Sequence, residues 1–468
     1  MNLDINLNFL FFRWRIFISR QWLQFGIIAA VVLLSIYISF WGSSRIQTLI
    51  PIALGGIGAL IVLLRHIRIG FLLILAAGMF IPYNGPGGVN AAVLMVALLL
   101  SLWLMEMFIA RRRFQFVRSR AMLPVILLLV ISFIAFWMGR LPWFVFADQA
   151  PLDSQIGGFA IFLFSLGLML ATANLVDMKW LKLIVWVFIG LGALYVFGKA
   201  LRLPVDSLYQ LGYTANSMFW TWLVALSFSQ AFLNEKLKKS TRGLLFLVTL
   251  VTFYVGIFQA YDWKSGWVPP LVVVAVMLGL KYPRLFILAV PFALIVAGTL
   301  VVDVVASDEY SWGTRIDAWI IVLEISKASP LLGLGFSNYY FYTPLFPIRG
   351  WHVSFNSHSQ YIDLIAQVGF LGLFCFFWIF FEVGRISWKM VNKLPSGFAR
   401  SYSFGVLAGI VGTLVASFLV DWVLPFVYNI GFNGFRASVL PWIFMGGVIA
   451  IENANLGSKQ NLKRGFNG

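Results

Sequence analysis

Of 468 residues, 61% are hydrophobic and 11% are charged, where ordinary soluble domains are roughly 45–50% apolar and about 25% charged. Apolar runs of about 18–20 residues recur along the chain, each long enough to cross ~30 Å of hydrocarbon. This excludes a soluble globular protein, and also a β-barrel, whose segments are shorter and alternate. The net charge of +17 would suit nucleic acid, but its placement in short loops between apolar runs points instead to membrane topology.

In chain order, spans are expected near 23–42, 47–64, 70–82, 90–110, 121–138, 156–176 and 181–199. Seven more are expected near 216–233, 243–260, 266–280, 285–303, 361–383, 402–424 and 437–453. The first run follows a long basic lead containing Arg13, Arg15 and Arg20 and reads as a retained span, not a cleavable signal peptide. With the N-terminus inside, the basic loops 111–120, 235–242 and 385–400 all fall on the cytoplasmic side. About 25 of the 34 Lys and Arg then lie inside and about 9 outside, as the positive-inside rule expects. The fold class is therefore an all-α, polytopic transmembrane helical bundle of about 14 spans, a single integral membrane domain over 1–468 with both termini cytoplasmic. A lone cysteine, Cys375, rules out a disulfide framework or a cysteine metal site.

The longest connection, 304–360, is too long to lie structureless in a compact protein. It is expected outside the membrane and to carry the site. Within it, RIDAWIIVLEISKAS (315–329) reads as an amphipathic helix. Arg315, Trp319, Val322 and Ser326 share one face, with Trp319 at headgroup depth. Pro330 should end the helix, and Gly333 and Gly335 should make the turn after it.

Few ionisable groups face outward, and they define the candidate chemistry. The segment NSHSQYIDLIAQVGFLG (356–372) puts His358 where a polar loop enters an apolar span. Projected along a helix at about 100° per residue, Gly369 and Gly372 fall beneath the imidazole. A smooth strip there would admit a neighbouring helix or a lipid chain; plain helix packing is the alternative. His352 lies in the same loop with no helix to orient it. Arg140, Arg202, Arg315, Arg349, Arg436 and Lys264 run against the topology rule. Each could snorkel or pair with a nearby Asp, but as a group beside a histidine they suggest an anionic, phosphate-bearing ligand. No external metal-ligand motif is visible, so no metal and no cofactor is expected.

YSWGTRIDAWIIVLEISKASPLLGLGFSNYYF followed by HSQYIDLIAQVGFLG resembles the O-antigen ligase and O-antigen polymerase superfamily. The ligase pattern is His, then Asn, Ser or Gln, nine residues, Gly, two residues, and Gly, Thr or Tyr. His358, Ser359, Gly369 and Gly372 match it. Arg315, then Trp319 and the PLLGLG turn, is similar to the upstream arginine block, and Gly212 and Asn216 in LGYTANSMFWTWLVAL align with an earlier span. Close resemblance covers about residues 211–372. One departure stands out: where relatives carry Ser-Arg, this chain has Lys264 and Ser265, a point charge without the bidentate fork. Arg202 or Arg140 could share that work.

The resemblance implies a GT-C-like bundle in a bacterial inner membrane that transfers a glycan from undecaprenyl pyrophosphate to a sugar hydroxyl at the external face. On that expectation His358 deprotonates the acceptor, and Arg315, with Lys264, Arg202 or Arg140, holds the pyrophosphate; inversion and metal independence follow. Partners would be the lipid-linked donor, a glycan or lipid A-core acceptor, membrane lipid, and a chain-length regulator or flippase. A polymerase is favoured slightly over a ligase. A protein O-oligosaccharyltransferase, or a transporter of lipid-linked glycan, are the alternatives, although transporters usually place charges and broken helices mid-membrane.

Overall fold

The computed structural model describes residues 60–284 except 111, 114 and 115, then 287 and 309–465, with isolated positions between 29 and 58. The expected spans 23–42 and 285–303, and most of 47–64, lie outside the described residues. The chain forms two compact units, Met1–Arg65 and His66–Gly468. In the first, the described residues near its end are helical, within Gly56–Arg65. The second carries the candidate site.

The second unit is all-α, with no strand among its described residues. Its main helices are α1 (Ile69–Phe80), α2 (Ala91–Met105), α3 (Met122–Met138), α4 (Leu152–Leu175), α5 (Met178–Ala200) and α6 (Ser217–Leu233). They continue with α7 (Lys239–Tyr254), α8 (Lys264–Lys281), α9 (Glu309–Ser326), α10 (Gln360–Lys393), α11 (Phe398–Leu419) and α12 (Gly431–Gly465). Eight described helices are long and apolar enough to cross a membrane; α1, α3 and α6 are apolar but shorter, 12 to 17 residues. Every expected span from 70–82 onward, except 285–303, overlaps one of these helices, and 402–424 overruns α11, which ends at Leu419.

Local chemistry sets several helix starts. Asn90 Oδ1 accepts from the amides of Ala92 and Val93, Asp177 Oδ1 from Lys179 and Trp180, and Asn216 Oδ1 from Met218. Each satisfies orphan donors at an N-terminus. Tertiary packing then centres on α12, whose apolar stretch is wholly buried and lies against α4. Arg436, fully buried in α12, donates to the carbonyls of Ala77, Ile81 and Tyr83 and to Asn84 Oδ1. A cation there satisfies the bare carbonyls, and the negative dipole end, of α1. Arg436 is thus a structural clamp within the bundle. Gly212 is a packing residue too: a Cβ on it would strike Asn433 of α12.

Successive helices run up and down, so two ends of the unit can be told apart. One end gathers the starts of α6 and α8, joined by Ser217 Oγ donating to Ser265 O at 2.6 Å. It also gathers the start of α10 and the turn after α11, where Gln360 both donates to Leu424 O and accepts from Leu424 N. The other end carries Arg68–Asp177 and Lys389–Glu452, paired at 2.6 and 2.7 Å.

The 309–359 connection has its own structure. Helix α9 begins before the expected Arg315 and ends at Ser326, because a tight turn takes over. Lys327, Ala328 and Ser329 amides bond back to Glu324, Ile325 and Ser326, so Pro330 sits beyond the helix end. Residues 330–335 then dock into a break in α10. Gly369 has φ 70° and ψ −177° inside that helix, which frees its neighbours for partners from the loop. Leu334 N donates to Ala366 O, Gly335 N to Gln367 O, Phe370 N to Pro330 O and Leu371 N to Leu331 O, at 2.8 to 3.2 Å. At Gly369 the smooth strip expected to admit a neighbouring helix or a lipid chain is therefore occupied by this loop. A Cβ on Gly369 would overlap the Leu331 carbonyl, and one on Gly372 would overlap its own helix neighbour Val368. Helical projection failed here because the helix is broken at Gly369.

Candidate active site

His358 lies just outside α10, whose first residue is Gln360. Its φ is 50°, in the left-handed region that histidine enters more readily than most non-glycine residues. The buried serines on either side hold it there. Ser357 Oγ donates to Asp363 Oδ1 at 2.7 Å and accepts from Ser359 N at 3.1 Å. The Tyr339 hydroxyl also donates to Asp363 Oδ1 and accepts from Ser357 N. Trp319 Nε1 donates to Ser357 O at 2.7 Å, its ring edge-on to Phe418. Trp319 thereby acts as a strut from α9 to the histidine loop.

This scaffold presents the imidazole to a cavity of about 270 Å³ lined by Thr314, Arg315, Ala318, Tyr340, Ile348, Ser354, Phe355, Asn356, His358 and Tyr428. Arg315 enters from α9, with Nη1 donating to Leu419 O at 3.3 Å and its guanidinium 5.5 Å from the Trp312 ring centroid. Tyr340 and Tyr428 form the opposing aromatic wall, stacked at 4.5 Å and 9°. His358 is open to the cavity, yet enough protein surrounds it for burial, and secondarily the Arg315 charge, to lower its pKa to about 4. Both causes disfavour the imidazolium, so the ring is neutral near pH 7. In the turn after α11, Asp421 is fully buried, with Asn429 Nδ2 donating to its Oδ1 at 2.6 Å. Burial pushes this carboxyl upward, and Arg315 is among the groups opposing that rise.

Of the residues singled out from sequence, His358 and Arg315 share this cavity. Lys264, Arg202 and Arg140 do not line it. Lys264 opens α8 with its ammonium 5.1 Å from the Tyr261 ring centroid. The adjacent Trp263 ring lies 6.0 Å from Trp422, which places α8's start beside the turn that carries Asp421. Arg202 and Arg140 are exposed after α5 and α3. His352 is also exposed, its Nδ1 2.7 Å from Pro344 O. Arg349 pairs with Asp317 at 3.1 Å.

Sequence reasoning missed Tyr339, Asp363, Tyr340 and Tyr428. Asp363 had a usable signal, a carboxylate three residues into an apolar span. The tyrosines had none, because their positions depend on long-range folding of the loop.

A bundle of apolar helices with a neutral histidine and an arginine facing one boundary cavity defines a multi-pass membrane protein with a polar site at one end. Residues 222–377 match the family model described as O-antigen ligase. That segment runs from α6 into α10 and includes both Arg315 and His358. The match supports the O-antigen ligase and polymerase superfamily and, in general terms, a membrane glycan transferase of that type. No curated protein matches the chain.

Proposed function

We propose that the protein transfers a glycan from a lipid pyrophosphate to an acceptor sugar hydroxyl at the external membrane face, as a polymerase of lipid-linked repeats before a ligase. The observation that carries this reading is that His358 and Arg315, 43 residues apart in sequence, line one cavity.

The acceptor hydroxyl gives its proton to a ring nitrogen of neutral His358 while its oxygen bonds to the anomeric carbon. The bond from that carbon to the phosphate oxygen breaks on the opposite side, inverting configuration, and its electron pair leaves on the pyrophosphate. Arg315 offsets that charge from a fixed position. A histidine with a pKa near 4 is by itself a weak base. A bound pyrophosphate offsets the Arg315 charge, the lesser of the two causes after burial, and so raises that pKa in part, in the direction that favours proton transfer. No step calls for a metal.

Ile316, Ile320 and Leu323 are exposed along one side of α9, beside Arg315. Their spacing makes an apolar stripe against which a prenyl chain can lie while its pyrophosphate meets the guanidinium. The positive-inside rule supports an external site, since the opposite end carries the basic loops. In this reading both termini are cytoplasmic, and Lys264, close to the turn that carries Asp421, is the nearest candidate for a second phosphate contact.

The test is transfer by purified protein in liposomes supplied with a lipid-pyrophosphate-linked glycan, with and without EDTA. His358→Ala should lower turnover by roughly 10²–10⁴-fold and leave donor binding largely intact, whereas His352→Ala should cost little. Arg315→Ala should weaken both, and Arg315→Lys should rescue only in part. Lengthened lipid-linked glycan indicates a polymerase, and product on a lipid A-core acceptor a ligase. Mild, equal losses in both histidine variants would overturn the reading; loss in EDTA would overturn its metal-free chemistry.

A further inference from the structure

A second recess, of about 380 Å³, opens at the end of the bundle remote from His358. Arg385 lies 25 residues beyond Gln360, the first residue of α10, roughly 35 Å along a helix that is broken once, at Gly369. Arg118 and Arg120, just before α3, meet Arg385 and Lys389 of α10 across it, with Glu452 of α12 as the one carboxylate among the lining residues. Glu452 organises the floor. It pairs with Lys389 at 2.7 Å and accepts from Ser119 Oγ at 3.3 Å. Arg385 pairs with Glu382 at 2.9 Å. Among the described residues no ion pair joins Arg118 or Arg120 to an acid, so the recess keeps two exposed guanidiniums beyond what its carboxylates neutralise.

We propose that this recess binds a phosphate-bearing anion, and that its occupant is the headgroup of an acidic bilayer lipid. Guanidiniums converging from two chain segments suit a phosphate's several acceptor oxygens. A row of exposed aromatics on α10 favours a lipid over a free ion. Phe370, Phe374, Phe377, Phe381 and Trp388 are all exposed at spacings of four, three, four and seven residues, one continuous helix face. Trp388 lines the recess itself, as tryptophan does where hydrocarbon meets headgroups. Acyl chains lying on the phenylalanines therefore bring a headgroup to the arginines. The positive-inside rule accounts for basic loops on this side, and basic pockets between helices there are known to hold acidic lipids. It does not account for a concave site on a carboxylate floor at the end of an aromatic row.

The experiment compares full-length wild type with the double variant Arg118→Gln/Arg120→Gln, both exposed positions outside the helices. Lipid retention by native mass spectrometry and thermal midpoint are measured after adding cardiolipin, phosphatidylglycerol, phosphatidylcholine or inorganic phosphate. Cardiolipin and phosphatidylglycerol should be retained and should raise the midpoint of wild type. The double variant should bind them roughly thirtyfold more weakly, the combined effect of two cations at an anionic surface. A rise produced equally by inorganic phosphate, without lipid retention, would overturn the lipid assignment in favour of a soluble phosphate. Equal retention by wild type and variant, or equal retention of phosphatidylcholine, would overturn the site.

Discussion

Gly369→Ala and Gly372→Ala, compared side by side, discriminate most sharply between the two roles the glycine pair can have. If the glycines kept a groove clear for lipid, either substitution would spare folding and weaken donor binding. The structure separates them. At Gly369 an alanine must adopt φ 70°, ψ −177°, a region essentially reserved for glycine that costs on the order of 1–3 kcal/mol. Its Cβ would also overlap Leu331 C and O, which are backbone atoms that no rotamer change can move. Relief requires withdrawing the 330–335 loop and breaking its bonds to α10. With four such hydrogen bonds contributing about 0.5–1.5 kcal/mol each, the total is at least roughly 3 kcal/mol. At Gly372 the overlap is with Val368 Cγ2 and Cβ; a rotamer change moves only the first, so a small helix shift is needed and roughly 1–3 kcal/mol is expected. Thermal unfolding in detergent, followed by intrinsic fluorescence, should show a large drop for Gly369→Ala and a smaller one for Gly372→Ala. Transfer should fall with stability in the first variant, because residues 330–335 connect α9 to the site. A Gly369→Ala protein that melts like wild type but binds donor poorly would refute the backbone-docking account and restore the groove.

Tyr339→Phe strips one donor from Asp363 and the acceptor from Ser357 N, leaving buried groups unpaired at roughly 1–3 kcal/mol. Because the loop it holds aims His358, kcat should fall about 10²-fold with a smaller change in KM; an unchanged kcat would separate this network from the site. For pH, the lowered His358 pKa means the neutral base is lost only as pH falls through about 4. The acid limb of kcat/KM should therefore lie well below 6.5, and that of kcat should lie higher because bound pyrophosphate offsets Arg315; a kcat/KM limb at or above 6.5 would contradict the assignment. For topology, a cysteine at Ala328 should react with an impermeant reagent from outside and one at Ser240 should not; the reverse pattern would place the His358 cavity on the cytoplasmic side.

Apolar run length alone decides that this chain is a multi-pass helical protein, because hydrocarbon demands internally satisfied backbone over a set distance. The described helices follow those runs closely. His358 and Arg315 were also legible, since a few ionisable groups in an apolar chain stand out at loop boundaries. Tertiary structure decided what surrounds them. Helical periodicity assumes an unbroken helix, and α10 is broken at Gly369 by backbone bonds to residues 330–335, so that glycine, projected as part of a groove, became a docking point. The outer cations looked alike in sequence, yet Arg436 is buried against α1's carbonyls, Arg349 pairs with Asp317, and Lys264, Arg202 and Arg140 sit outside the cavity. Charge and hydropathy are properties of single residues and can be read along a chain. Which of several cations meets a histidine depends on contacts between segments far apart in sequence, and only the folded chain brings those together.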